Sequence, residues 1–132
     1  MIEDPRKIDW GKVKYFKKHE FECKCGCGQC NVNPQLVYAL DLARSKSSVK
    51  FVISSGARCE RHNKKERGVP GSSHISSDKN VCHAADIEYK TPGDGAIILK
   101  ALTSYFDRIG VGPNFIHVDN DPDKLTPALW PY

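Results

Sequence analysis

Two stretches of this chain hold side chains that could do chemistry together: Ser72-Ser73-His74 through Cys82-His83-Ala84-Ala85-Asp86, and Phe115-Ile116-His117-Val118-Asp119. Between them they offer imidazoles and carboxylates, and two imidazoles with one carboxylate form the ligand inventory of a catalytic zinc that keeps a position open. Side chains alternate across a strand, so His117 and Asp119 share one face with Phe115 while Ile116 and Val118 point to a core. Asp86 stands in an otherwise apolar run, where a carboxylate is costly unless it is paired or holds a metal. A bare His-x-Asp more often marks an exposed polar face than a ligand pair. The placement of Asp86 weighs against that reading.

The elements that must carry these residues can be placed from pattern. Residues 1–20 are polar and read as an arm packed over the domain, anchored by Trp10, Val13, Tyr15 and Phe16. Asn33-Pro34 is an N-cap followed by proline at the first helical position, and Leu36, Val37, Leu40 and Ala43 continue at helical spacing to about Lys46. Val49 to Ser55 is a short β-branched strand, followed by a loop from Gly56 to Ser73 whose length suggests a functional role. Ala84 to Tyr89 reads as a second strand. Pro92-Gly93-Asp94-Gly95 leads into a helix through Ile97, Ile98, Ala101, Leu102, Tyr105 and Phe106. Residues 108–112 and 114–119 form a hairpin joined at Gly112-Pro113, and the proline-bearing tail is expected to be irregular. The fold class is therefore α+β, a small, mostly antiparallel sheet with helices packed on one side.

With 132 residues, 39% of them hydrophobic, the chain fits one domain, 1–132, with one core. The net charge of +4 gathers at Lys12, Lys14, Lys17, Lys18 and Lys24, and again at Arg58, Arg61, Lys64, Lys65 and Arg67. A basic face suits an anionic partner or is simply solvated. No nucleic-acid partner is expected, since neither RNA-binding aromatic signatures nor helix-turn-helix spacing occurs. No apolar run reaches the roughly 18 residues of a membrane span, and Met1-Ile2-Glu3-Asp4-Pro5 lacks the pattern of a signal peptide. Synthesis in the cytoplasm without membrane insertion is expected.

Four of the six cysteines lie between Cys23 and Cys30, among glycines that permit sharp turns. One ion taking all four is disfavoured, because ligand pairs usually come from separated segments. A disulfide from this cluster to Cys59 or Cys82 is the leading expectation, as small cores need staples. Free thiols, and a second metal held with Cys59, stay open.

Taken in order, Glu20-Phe21-x-Cys23-Lys24-Cys25-Gly26-Cys27-Gly28, Ser54-Ser55-Gly56-Ala57-Arg58-Cys59, His62-Asn63, Ser73-His74, Ala84-Ala85-Asp86-Ile87 and Phe115 to Asp119 resemble the zinc D-Ala-D-Ala carboxypeptidases and related peptidoglycan endopeptidases. The likeness runs from about Tyr15 to Asp119 and is greater to the cysteine-bearing branch met in bacteriophages and prophages. It implies a Hedgehog/DD-peptidase-like fold and a zinc-dependent peptidase that hydrolyses the peptide stems of bacterial peptidoglycan, at D-Ala-D-Ala or L-Ala-D-Glu. It implies His74, Asp86 and His117 as zinc ligands, and Arg58 as the group that holds a substrate carbonyl or carboxylate. The spacing from 74 to 86 is wider than in the family pattern S-x-H-x-x-G-x-A-x-D, with the extra residues within Ser76 to Val81 and Cys82 in the place of glycine. His83 competes with His74, although strand alternation turns a residue three before Asp86 to the opposite face.

The family's general base falls at Asn114, which cannot accept a proton in that role. Asp119 is then the candidate, either as the base or as a carboxylate that orients a ligand imidazole. The protein is expected to act as a monomer on the cell wall after release, or on a phage particle. Two other classes stay open: a non-catalytic, zinc-containing wall-binding or phage structural domain, and a cysteine-metal module centred on Cys23 to Cys30.

Overall fold

The computed structural model describes residues 7–132; the first six residues of the expected arm, and with them the stretch read for a leader, lie outside the described residues. Helix α1 spans Pro34–Ser45, capped by the Asn33 side chain accepting from the Leu36 amide at 3.0 Å. Strand β1 spans Val52–Ser55, helix α2 Glu60–Lys65, strand β2 Ala84–Glu88 and helix α3 Pro92–Thr103. Strands β3 (Arg108–Val111), β4 (Phe115–Asp119) and β5 (Ala128–Pro131) complete the chain.

The five strands form one sheet in the order β1-β2-β4-β3-β5, antiparallel except for the β3–β5 pair. Register sorts the side chains into two faces. Ala85 pairs with Val118 and Val118 with Ile109; Ile87 pairs with Ile116. These residues join Leu36, Val37, Leu40, Ile98 and Leu102 of α1 and α3 in one buried core. On the other face Asp86 pairs with His117, His117 with Gly110, and Gly110 with Trp130. One face of the sheet is thus committed to stability and the other to polar groups.

Three expectations need correction. The tail is not irregular: Ala128–Pro131 adds an edge strand parallel to β3, where proline is tolerated because an edge residue need not donate to a neighbour. The long loop after β1 contains α2, on the polar side of the sheet, where its buried Asn63 accepts from Arg58 at 3.4 Å. Its cap is the Cys59 thiol, which accepts from the His62 amide, and Cys is outside the usual capping set. The second correction also qualifies the placement of helices on one side, which holds for α1 and α3. Third, the expected disulfide is absent: all six cysteines are free, and Cys82, fully buried, gives its thiol proton to the Ala84 carbonyl at 3.2 Å.

In the arm, Val13 and Phe16 are buried and Trp10 packs against the core, as expected. Tyr15 instead lies at the surface beneath the Arg44 guanidinium, 4.7 Å from its ring centre. The segment after the arm is fastened to the end of β1, where the Ala57 amide donates to the Phe21 carbonyl at 2.9 Å.

Candidate metal centre

The polar face of the sheet floors a cleft of about 440 Å³, lined by His74, Asp86, His117 and Asp119 together with Arg58 and Arg108. Asp86 projects from the middle of β2 and His117 from the paired position on β4. His74 arrives from the loop that crosses over them, fixed by backbone hydrogen bonds between residue 58 and residues 74 and 76. The extra residues before Cys82 do not displace it. They are held aside by Asn31, whose side-chain amide donates to the carbonyls of Ser77 and Asn80.

Both imidazoles converge on one carboxylate oxygen. Asp86 Oδ1 lies 3.2 Å from His74 Nε2 and 2.9 Å from His117 Nδ1. The far nitrogens are also fixed: His74 Nδ1 is 2.8 Å from the Gly56 carbonyl, and His117 Nε2 is 2.7 Å from Asp119 Oδ2. A carbonyl and an ionised carboxylate only accept, so each far nitrogen carries the proton. His74 Nε2 and His117 Nδ1, which face Asp86 Oδ1, would exchange that hydrogen bond for a cation when a metal takes the proton's place. The donor atoms of His74, Asp86 and His117 all lie within 4.8 Å of one another, whereas tetrahedral zinc with bonds of roughly 2.0 Å holds its ligands about 3.3 Å apart. The residues present fit zinc with little rearrangement.

Charge follows from this packing. Burial alone would push the Asp86 carboxyl up, but hydrogen bonds from His117 and His74 outweigh it and hold the group well below the usual carboxylate range. Asp119 is opposed by burial in the same way and is held down by His117 and Arg108. His117 is raised above its ordinary value, because Asp119 and Asp86 overcome the cost of burying its charge. The sign for the metal-free protein follows. The share contributed by His117 is complete below about 6.5, its unfolded value, and is lost as the pH rises through the raised folded value; the share from the carboxylates is present above about 3.9 and lost as the pH falls through their depressed values. Metal-free protein should therefore have its highest thermal midpoint between about pH 4 and pH 6.5. Calorimetry in a chelating buffer would locate that maximum, and a midpoint climbing steadily to alkaline pH would contradict the charge assignment.

Arg58 enters the cleft from the end of β1. Its Nε donates to Ser55 Oγ at 2.9 Å and its NH2 group lies 3.4 Å from Asp86 Oδ2, so the guanidinium is aimed beside the three donors. Asp119 has both oxygens engaged, one with His117 and the other with Arg108 Nε at 2.7 Å. Asn114 does not line the cleft. His83 turns away, with Nδ1 3.1 Å from Asn120 Oδ1.

Sequence reasoning missed the wall built by the tail. Trp130 stacks 4.8 Å from the Arg108 guanidinium and 5.6 Å from the His117 ring, and Tyr132 packs against Phe115 at 4.9 Å. A β-carbon at Gly110 would stand 2.5 Å from Trp130 Nε1, so only glycine there lets the indole lie against β3. Glu66, Arg67 and Lys124 also line the cleft. Arg108 escaped too: a joint at Gly112-Pro113 would set it across from His117, whereas the turn falls at Pro113-Asn114 and the observed register pairs it with Asp119.

Residues 14–119 match the family model described as Peptidase M15. No curated protein and no solved structure gives a significant match.

Proposed function

From the premise that the chain belongs to the peptidase M15 family of zinc metallopeptidases, we propose that it hydrolyses peptide stems of bacterial peptidoglycan at the cleft of His74, Asp86 and His117. The observation that carries this reading is the pair of imidazoles whose far nitrogens are locked by Gly56 and Asp119 and whose near nitrogens face one Asp86 oxygen. His74 Nε2, His117 Nδ1 and an Asp86 oxygen would hold zinc. Bound there, zinc supplies Lewis-acid activation of water and of the scissile carbonyl.

The remaining work falls to the chain. Arg58 presents a fixed guanidinium that keeps its proton and can receive the oxygen on which negative charge develops. Of the two roles expected for Asp119, its contacts support the orienting one: it fixes the His117 tautomer, and Arg108 keeps its second oxygen occupied. Glu66, half-exposed and 3.8 Å from His62 Nε2, is the lining carboxylate that touches neither the three metal-ligating side chains nor Arg108, and we assign it the transfer of a proton from water to the leaving amine. Asp119→Asn should then weaken zinc affinity about 10–100-fold, read by competition with a chelating dye. Glu66→Gln should lower kcat by about 10²-fold or more with zinc retained. The reverse pattern would make Asp119 the base.

Arg58, Arg67, Arg108 and Lys124 line the cleft opposite carboxylates that are mostly engaged, which suits a substrate bearing free carboxylates, as peptide stems do. Trp130 supplies an apolar wall for the stem, and Trp130→Ala should raise KM about fivefold, or ~1 kcal/mol. Digestion of purified peptidoglycan with mass analysis of the products tests the whole reading. Release of free alanine marks a carboxypeptidase, a new glutamate amino terminus marks an L-Ala-D-Glu endopeptidase, and no released product from zinc-loaded protein refutes hydrolysis.

A further inference from the structure

A second set of metal-ligating side chains lies outside the cleft. The Sγ atoms of Cys23, Cys25, Cys27 and Cys59 all lie within 4.8 Å of one another. Cys23 is 3.4 Å from Cys25 and 3.9 Å from Cys59, and Cys25 is 3.7 Å from Cys59. These separations are far from the roughly 2.05 Å of a disulfide. They match the edge of a tetrahedron of sulfurs bound to zinc at about 2.3 Å, which is about 3.8 Å.

The backbone is shaped to make this cluster. Gly26 and Gly28 adopt φ of +87° and +82°, which L side chains rarely reach, and the loop closes through Cys23 N–H to Gln29 O at 2.9 Å and Gly26 N–H to Cys23 O at 3.2 Å. The fourth thiol comes from a distant segment, at the N-cap of α2. Amides already face the sulfurs: Cys59 N–H lies 3.5 Å from Cys23 Sγ, and His62 N–H 3.4 Å from Cys59 Sγ. Amide donors of this kind stabilise thiolate charge. The other two cysteines are directed elsewhere, Cys30 towards the Lys18 carbonyl and Cys82 into the core. The gathered number is therefore the number that a closed tetrahedral site takes.

We propose that Cys23, Cys25, Cys27 and Cys59 form a second, structural metal site, which binds one divalent cation of the zinc class through four thiolates and fastens the segment 21–30 to the loop that carries Arg58. Soft thiolate donors select zinc over magnesium or calcium, and four protein ligands leave no position for a reacting group. Cys59 directly follows Arg58, and Ala57 is hydrogen-bonded to Phe21, so the ion closes a clamp around the catalytic arginine. Its role is positional.

The test is metal content and cobalt absorption of the full chain, purified under reducing conditions. Wild type should bind about two equivalents of zinc and His117→Ala about one. The cobalt form of His117→Ala should keep the intense thiolate-to-cobalt charge-transfer absorption. Cys25 and Cys27 are exposed, so the double variant Cys25→Ser/Cys27→Ser is expected to fold, lose that absorption and one equivalent, and lower kcat through a loosened Arg58. Absence of the thiolate absorption from the cobalt forms of both wild type and His117→Ala, or its full retention in the double serine variant, overturns the proposal. Because the readout is sulfur ligation, failure of the cysteine site is distinguished from failure of the cleft, whose metal shows no such absorption.

Discussion

His117→Ala should abolish hydrolysis, by roughly 10³-fold or more, and remove the cleft metal. A Lewis acid held there would supply several kcal/mol of charge stabilisation, each 1.36 kcal/mol being a factor of about ten in rate. His117 is also the residue through which the site is assembled, since its ring bridges Asp86 Oδ1 and Asp119 Oδ2. Removing it leaves two buried carboxylates each short of a partner, and breaking a buried pair costs about 3–5 kcal/mol in the metal-free state. The fold should survive, because Asp86 keeps His74 and Arg58, and Asp119 keeps Arg108. Thermal melts and metal analysis separate lost ligation from lost fold. His83→Ala is the matched control: its ring contacts Asn120 beyond the site, so metal content and cleavage should be unchanged.

Arg58→Ala is expected to lower kcat by about 10²–10³, the loss measured when one preorganised oxyanion donor is removed. The guanidinium is held at three points, by Ser55, Asn63 and Asp86, so little reorganisation is needed as charge develops on the substrate. Zinc content should be retained, because Arg58 donates no ligand. Arg58→Lys should recover only part of the rate: lysine restores the charge but not the planar fork that meets Ser55 and Asn63 at once. A variant that loses zinc in proportion to activity would show instead that Arg58 serves to hold Asp86.

The backbone order was legible because local signals agreed with the global fold. Asn33-Pro34 opens a helix with a side-chain cap and the turn from Pro92 opens another, and the alternation of Phe115 to Asp119 assigns each residue to its face. The donor trio was reached through ordered motifs, not spacing, since the interval from 74 to 86 departs from the family pattern; the loop absorbs it because Asn31 binds the added residues away from the cleft. What stayed hidden shares one physical cause, dependence on long-range contacts. The strand at Ala128–Pro131 exists because β3 offers it an edge, while Pro127 and Pro131 argue locally for irregular chain. Helix α2 has a charged sequence without apolar periodicity and a thiol cap. Asp119 was expected beside His117 from strand alternation, but its second partner became visible only when the hairpin register set Arg108 across from it.

The claim that the cleft is a zinc peptidase site is tested most directly by stripping the protein with a chelator and restoring zinc while product masses from purified peptidoglycan are followed. Release of stem fragments should fall to background on stripping and return with zinc in the wild type, but not in His117→Ala. Fragments released equally well by stripped protein would contradict metal-dependent hydrolysis. A zinc-loaded wild type that binds the wall and releases nothing would make the domain a non-catalytic wall binder.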